Sequence, residues 1–377
     1  MKNIKVCTVF GTRPEAIKMA PLVLELEKTE GITSLVCVTA QHRQMLDQVL
    51  EIFGIRPDYD LDIMRERQTL AGITKRAMEG LCEIFEKEKP DIVLVHGDTT
   101  TTFAGALAAF YSGTAVGHVE AGLRTFDKWS PFPEEINRRL TGVLSDLHFS
   151  PTTTNRENLL REGVPAERIF ITGNTVIDAL STTVKESYAF RDPVLAAMPW
   201  KEKRIILMTA HRRENLGEPL YNIMRAVKRI AVEFPDVEVV YPVHLNPAVQ
   251  SVAKEVLGAQ KNVHLIAPLD VEELHNAMAA SYMILTDSGG LQEEAPSLGK
   301  PVLVLRTETE RPEAVEAGTV QVVGVEEEDI YREAKTLLCD STAYEKMAKA
   351  VNPYGDGQAS RRIVEAILEH FSKERKQ

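Results

Sequence analysis

Short, mostly apolar runs alternate with amphipathic stretches along nearly the whole chain. The runs fall at residues 4–10, 34–39, 91–96, 114–119, 147–150 and 169–172, and then at 204–209, 237–243, 263–266, 282–285, 301–305 and 319–323. Between them apolar positions recur about every 3.6 residues, as over 73–88 and 220–234. Continuous rather than alternating apolar runs predict strands buried on both faces, and helices between them predict βαβ units with parallel sheets. Two such series predict two doubly wound α/β domains, at 1–186 and 204–357. The segment 187–203, with Pro193, Pro199 and a cluster of charges, reads as the linker. The periodic stretch 358–371 predicts a last helix that crosses back onto the first domain. In open parallel sheets ligands bind beyond the carboxyl ends of the strands. Attention therefore goes to 11–13, 97–98, 120–122, 210–213 and 287–290.

Composition narrows the class. A chain of 377 residues with 44% apolar content can fill two cores. A formal charge of −11 and a pI near 5.5 argue against a nucleic-acid partner. The four cysteines, Cys7, Cys37, Cys82 and Cys339, lack CxxC spacing, so neither a disulfide framework nor a metal site is expected. The apolar run after Met1–Lys5 is too short for a signal-peptide core. No apolar stretch reaches the ~18–20 residues of a membrane helix. These features predict a cytoplasmic protein with no membrane partner.

The strand ends carry the chemistry. The first strand runs into Gly11-Thr12-Arg13-Pro14-Glu15. Glycine permits the tight turn, Pro14 suits a first helical turn, and Arg13 stands where helix N-termini bind anions. Lys18 lies about one turn further along. The same residues also read as a solvated capping turn, and the spacing is not the dinucleotide fingerprint GxGxxG. His96-Gly97-Asp98 ends the third strand, where Asp98 is either an N-cap or a functional acid. Glu120 follows the fourth strand directly, and Glu134 opens a helix after Pro131 and Pro133. A carboxylate at a helix start is stabilising by itself, by roughly 0.3–1 kcal/mol. Three acids at neighbouring strand ends nonetheless make an acid/base set.

In the second series, Ala210-His211-Arg212-Arg213-Glu214 groups cations at a strand end of an acidic chain. One arginine paired with Glu214 at the surface is the simpler alternative. Asp287-Ser288-Gly289-Gly290 then opens a helix in which backbone N–H groups can approach a phosphate. Glu294, four residues past Gly290, shares its helix face and can accept from ribose hydroxyls. Pro296 keeps that helix short. The unit describes a nucleoside diphosphate held by its phosphates and ribose, with a generic strand-to-helix turn as the plainer alternative.

These stations, in this order, resemble the non-hydrolysing UDP-N-acetylglucosamine 2-epimerases. The matching segments also include Gln41-His42, Val95-His96-Gly97-Asp98-Thr99, His118 to Arg124, Pro133 to Arg138 and Pro242-Val243-His244, so the match spans nearly the whole chain. The resemblance implies a GT-B fold of two Rossmann-like domains facing a central cleft. It implies Arg13, Lys18, Arg138, His211, Ser288, Gly289, Gly290 and Glu294 as ligands of UDP or the sugar, and a uracil pocket around Leu269 to Leu274. Leu274 stands where an aromatic is more common in relatives. Asp98, Glu120 and Glu134 match the catalytic acids. No cofactor and no metal are implied. The C2 proton of an N-acetylhexosamine has no adjacent carbonyl to acidify it, so positive charge must first develop at C1 as UDP departs. The elimination product is 2-acetamidoglucal; UDP then re-adds to give UDP-N-acetylmannosamine. Cations stabilise the leaving group and carboxylates move the proton. Gln41, His42, Gln44, Arg67, Gln68 and His244 are expected to hold a second, activating UDP-N-acetylglucosamine. A homodimer is a further implication. A hydrolysing epimerase, a GT-B glycosyltransferase and a non-catalytic UDP-sugar sensor are the alternative readings.

Overall fold

The computed structural model describes residues 3–40, 43–65 and 68–374. The chain forms two compact units, Met1–Thr182 with Tyr354–Gln377, and Thr183–Pro353.

The first unit is built on a parallel sheet of β1 (Ile4–Phe10), β2 (Ile32–Val38), β3 (Tyr59–Asp60), β4 (Ile92–His96), β5 (Ala115–Val119), β6 (Leu147–Ser150) and β7 (Ile169–Ile171). The spatial order is β3-β2-β1-β4-β5-β6-β7. Each predicted run in this half forms a strand. The short β3 was not anticipated, because two residues leave no apolar run to read. The order reverses between β1 and β4, whose register runs from Val6 opposite Ile92 to Val9 opposite Val95. At that reversal the flanking connections diverge and leave a crevice beyond the strand ends.

Helices cover both faces of this sheet. On one face Met19, Leu22 and Leu26 of the helix Arg13–Lys28 pack with Ile363 and Ile367 of the final helix Ala359–Glu374. All five side chains are fully buried. Each such side chain contributes roughly 1.5–3 kcal/mol, which explains why the chain returns from the second unit. Asp178 fixes the returning helix by accepting the N–H groups of Ala359 at 3.1 Å and Ser360 at 2.7 Å.

The second unit carries β8 (Arg204–Thr209), β9 (Val237–Pro242), β10 (Val263–Ile266), β11 (Met283–Thr286), β12 (Val302–Val304) and β13 (Val320–Val322). Their order, β10-β9-β8-β11-β12-β13, reverses between β8 and β11. Thr209 and Thr286 face each other across that pair, with their hydroxyls 2.6 Å apart.

The expected linker at 187–203 belongs to the second unit, and the division lies earlier, after Thr182. This segment and the residues just before it, from Thr183, supply polar partners to the helix Val271–Ala280. Thr183 Oγ1 meets His275 Nδ1 at 2.7 Å, and the Lys185 N–H donates to Asn276 Oδ1 at 2.9 Å. The Arg191 N–H donates to Glu273 Oε1 at 2.6 Å. Proline and charge in sequence do not distinguish such a docked strap from a loose linker. No helix among the described residues is long and apolar enough to cross a membrane.

Candidate functional site

At the reversal point of the first sheet, Glu15 organises two strand ends at once. Its buried carboxylate accepts from the N–H groups of Gly11 at 3.0 Å and Thr12 at 2.8 Å, and from the hydroxyls of Thr99 at 2.7 Å and Thr102 at 3.2 Å. Burial raises its pKa and these donors oppose the rise. The turn after β1 is thereby tied to the turn after β4. Thr12 and Glu15 form a capping box, so part of this arrangement was readable from their spacing. Arg13 is the first helical residue, half-buried at this rim.

Thr99, not Asp98, caps the helix Thr100–Tyr111, which frees Asp98 for other work. The Asp98 carboxylate meets the Arg138 guanidinium at 2.6 Å, while Asn137 donates to the Asp98 carbonyl at 2.9 Å. Burial pushes Asp98 from 3.8 up to about 6; Arg138 and Lys18 pull it down, and the charges of Glu120 and Glu134 push it further up. Glu120 and Glu134, the other acids predicted from the first half, therefore both lie within electrostatic reach of Asp98.

Glu120 has φ of 63°, a left-handed conformation that costs a non-glycine residue roughly 1–3 kcal/mol. From this conformation its carboxylate forms a close ion pair with Lys18. Asn174 donates to the same oxygen at 2.9 Å, and His96 Nε2 lies 3.6 Å from the other. Gly97 is required beside it: its φ is 67°, and a Cβ there would lie 3.3 Å from Glu120 Oε2. His96 is buried and held neutral, its pKa lowered to about 4 chiefly by burial. His96, Asn174 and Glu15 were missed as members of this cluster. Nothing local marks Asn174, which reaches Glu120 from 54 residues away.

Glu134 starts the helix Glu134–Leu144 as expected and is half-buried. Its neighbour Glu135 is the structural carboxylate. It is buried, accepts the N–H groups of Thr125 at 3.0 Å and Phe126 at 3.2 Å, and lies 3.5 Å from Arg138. Arg138, expected to bind substrate, is thus engaged by two carboxylates of its own unit.

The second unit has its own rim at the β8–β11 reversal. Ser288 precedes the helix Gly289–Ser297, and its side chain makes no capping bond. A Cβ on Gly289 would have the guanidinium nitrogens of Arg212 at 3.7 Å and Arg311 at 3.8 Å as its nearest neighbours. Two cations therefore border the open N-terminus of this helix, where dipole and N–H groups already favour an anion. A Cβ on Gly290 would lie 3.2 Å from Glu294 Oε1, which places that carboxylate beside the same turn. The other oxygen of Glu294 is 3.3 Å from His275 Nε2. Leu269 is buried, and Leu274 is half-buried on the helix Val271–Ala280. Glu214 pairs with Arg306 at 3.1 Å, not with its neighbouring arginines.

His211 follows β8 with its ring stacked on His244, the centroids 5.1 Å apart and the planes 6° from parallel. His244, expected at a second nucleotide site, thus lies with its ring against His211. Gln68 accepts from Arg76 at 3.4 Å. Gln41, His42, Arg67 and the side chain of Gln44 lie outside the described residues.

With this geometry in hand, residues 24–368 match the family described as UDP-N-acetylglucosamine 2-epimerase. The chain is 63% identical to the UDP-N-acetylglucosamine 2-epimerase of Bacillus subtilis over 377 residues, covering 100% of this chain and 98% of that one. It is 57% identical to the Escherichia coli K12 enzyme of that name over 369 residues, 97% of this chain and 98% of the other. A solved structure from Neisseria meningitidis, bound to UDP-N-acetylglucosamine, is similar with a TM-score of 0.87 at 53% identity, covering 97% of this chain and 100% of that one. The fold is α/β of the GT-B type, with two doubly wound sheets. The chain belongs to the UDP-N-acetylglucosamine 2-epimerase family, isomerases that act on carbohydrates.

Proposed function

We propose that the chain interconverts UDP-N-acetylglucosamine and UDP-N-acetylmannosamine by eliminating UDP and adding it back. The C1–O bond breaks with its electron pair leaving on the β-phosphate. The C2 proton passes to a carboxylate, and the C1–C2 double bond of 2-acetamidoglucal forms. Protonation of C2 on the opposite face and attack of the phosphate oxygen at C1 complete the epimer. Asp98 and Glu134 transfer the protons, and Glu120, held by Lys18 and Asn174, orients the sugar. The open N-terminus of Gly289–Ser297, with Arg212 and His211, takes the charge developing on UDP. Arg13 and Lys18 bind at the first rim, and Glu294 accepts from the ribose. The observation that carries this reading is that Glu120 and Glu134 lie within electrostatic reach of Asp98, itself raised to about 6, near the pH at which a proton carrier works best.

The test is incubation with UDP-N-acetylglucosamine in D₂O, followed by NMR. The manno epimer with deuterium at C2 is expected. Complete retention of the original hydrogen rules out exchange through a solvent-accessible base, and release of free N-acetylmannosamine identifies a hydrolysing enzyme.

Three finer readings accompany this one. The chain pairs as a homodimer, supported by Phe110, Tyr111, Leu140 and Val143, which are exposed on two helices of the first unit that pack together. A monomer by light scattering overturns it. The protein is cytoplasmic, in keeping with the buried free thiols of Cys7 and Cys37. A second UDP-N-acetylglucosamine, held by Gln41, His42, Gln44, Arg67, Gln68 and His244, activates the reaction.

A further inference from the structure

Asp287, the residue after β11, is completely buried yet lies at the rim of the second unit. Its Oδ2 accepts three hydrogen bonds: from the N–H groups of His211 and Arg212, both at 2.7 Å, and from Asn215 Nδ2 at 3.2 Å. Its Oδ1 has no hydrogen-bond partner among the described residues and lies 3.5 Å from His211 Nδ1. One carboxylate thus holds the backbone of the cationic loop and faces the ring of its histidine. The same residue leads directly into Ser288-Gly289-Gly290, so loop and helix N-terminus are set relative to each other by a single side chain.

We propose that Asp287 is the positioning residue for His211. Oδ2 fixes the loop, and Oδ1 selects the tautomer with the proton on Nδ1, leaving Nε2 for the departing diphosphate. The proposal rests on the reading that UDP leaves from this rim. The stack on His244 holds the plane of the ring. His244 accepts the Asn246 N–H on its own Nδ1 at 3.1 Å, so its proton is on Nε2.

The groups facing His211 act in opposite directions. Burial, His244 and Arg212 lower its pKa, and Asp287 and Glu214 raise it, with a net lowering. In the free protein the ring is therefore mainly neutral near pH 7. A diphosphate at Nε2 adds negative charge on the side opposite Asp287. The imidazole then takes one proton from solvent and lies between two anions. Nε2–H donates to the phosphate oxygen as the C1–O bond breaks.

The first test uses wild-type protein labelled with ¹⁵N-histidine, with His211→Gln to assign the signal, titrated with and without UDP. The Nδ1–H tautomer is expected in the neutral free ring, with the pKa rising by roughly one unit or more when UDP binds. An Nε2–H tautomer, or a pKa indifferent to UDP, overturns the proposal. The second test is the pH profile of kcat for Asp287→Asn. Without the carboxylate the imidazolium is less favoured, so the alkaline limb moves to lower pH; an unmoved limb overturns the proposal. If that variant does not fold, the wild-type tautomer decides. Absence of C2 deuterium in wild-type product would count against the elimination route, and leave the tautomer result to be judged separately.

Discussion

Arg138 grips Asp98: its Nη2 lies 2.6 Å from Asp98 Oδ2, while the adjacent Asn137 holds the Asp98 carbonyl at 2.9 Å. Side chain and backbone of the acid are thus fixed from one turn of a single helix. If Asp98 acts as the base, it works ionised, so kcat/KM should fall as pH drops through about 6. Arg138→Gln removes the leading influence that lowers this pKa. The acid limb should therefore move to higher pH, and a pH–rate series on the variant measures it. An unmoved limb would show that Asp98 is not the titrating base.

Asp98→Asn, Glu120→Gln and Glu134→Gln should each lower turnover by about 10²–10⁴, the usual worth of an acid or base. UDP affinity, measured by calorimetry, should stay within a few fold if, as proposed, the phosphates and ribose are read mainly by the second unit. Near-normal turnover in all three variants would reduce these carboxylates to caps.

Activity should persist in EDTA and without added NAD, since arginine, histidine and a helix N-terminus can neutralise the diphosphate directly. A strict requirement for a divalent ion would overturn that charge assignment.

If the second nucleotide site exists, the rate against UDP-N-acetylglucosamine should be sigmoidal. Pure UDP-N-acetylmannosamine should react slowly until traces of UDP-N-acetylglucosamine are added. Gln44→Ala and Arg67→Ala should weaken this activation more than UDP binding. His244 is a poorer probe, because its ring stacks on His211 and its loss would disturb both sites. Hyperbolic kinetics in both directions would remove the second site.

Three buried histidines make the first unit acid-sensitive. Burial lowers His96 and His148 from 6.5 to about 4 and His118 to about 3. Their folded pKa values lie below the unfolded value, so the unfolded chain binds protons first. The stability they contribute is present above pH 6.5 and is lost as pH falls toward 4. Asp98, raised from 3.8 to about 6, has the opposite sign, so acidification from 6 toward 3.8 favours the folded form through it. Three rings, each worth on the order of 3 kcal/mol over this range, outweigh the one carboxylate. Thermal unfolding monitored across that window should show a falling midpoint, less steep in His148→Gln. A flat profile would mean that the rings are already protonated in the fold.

The sequence by itself determined the kind and order of the elements, because apolar periodicity is set by neighbours a few residues apart. It also marked the stations of the candidate site, since a strand that ends in glycine and a charged residue is a local pattern. It did not reveal β3, which has only two residues, Tyr59 and Asp60, nor that residues 187–203 dock on the second unit. Strand order was decided by tertiary structure, and with it the β1–β4 and β8–β11 reversals that make these strand ends the crevices. So were the pairings Lys18 with Glu120, 102 residues apart, and His211 with Asp287, 76 apart. The local pattern says that a side chain stands at a rim. Which strand lies beside it depends on how the whole sheet buries its faces, and that neighbour supplies the partner that sets its charge and direction.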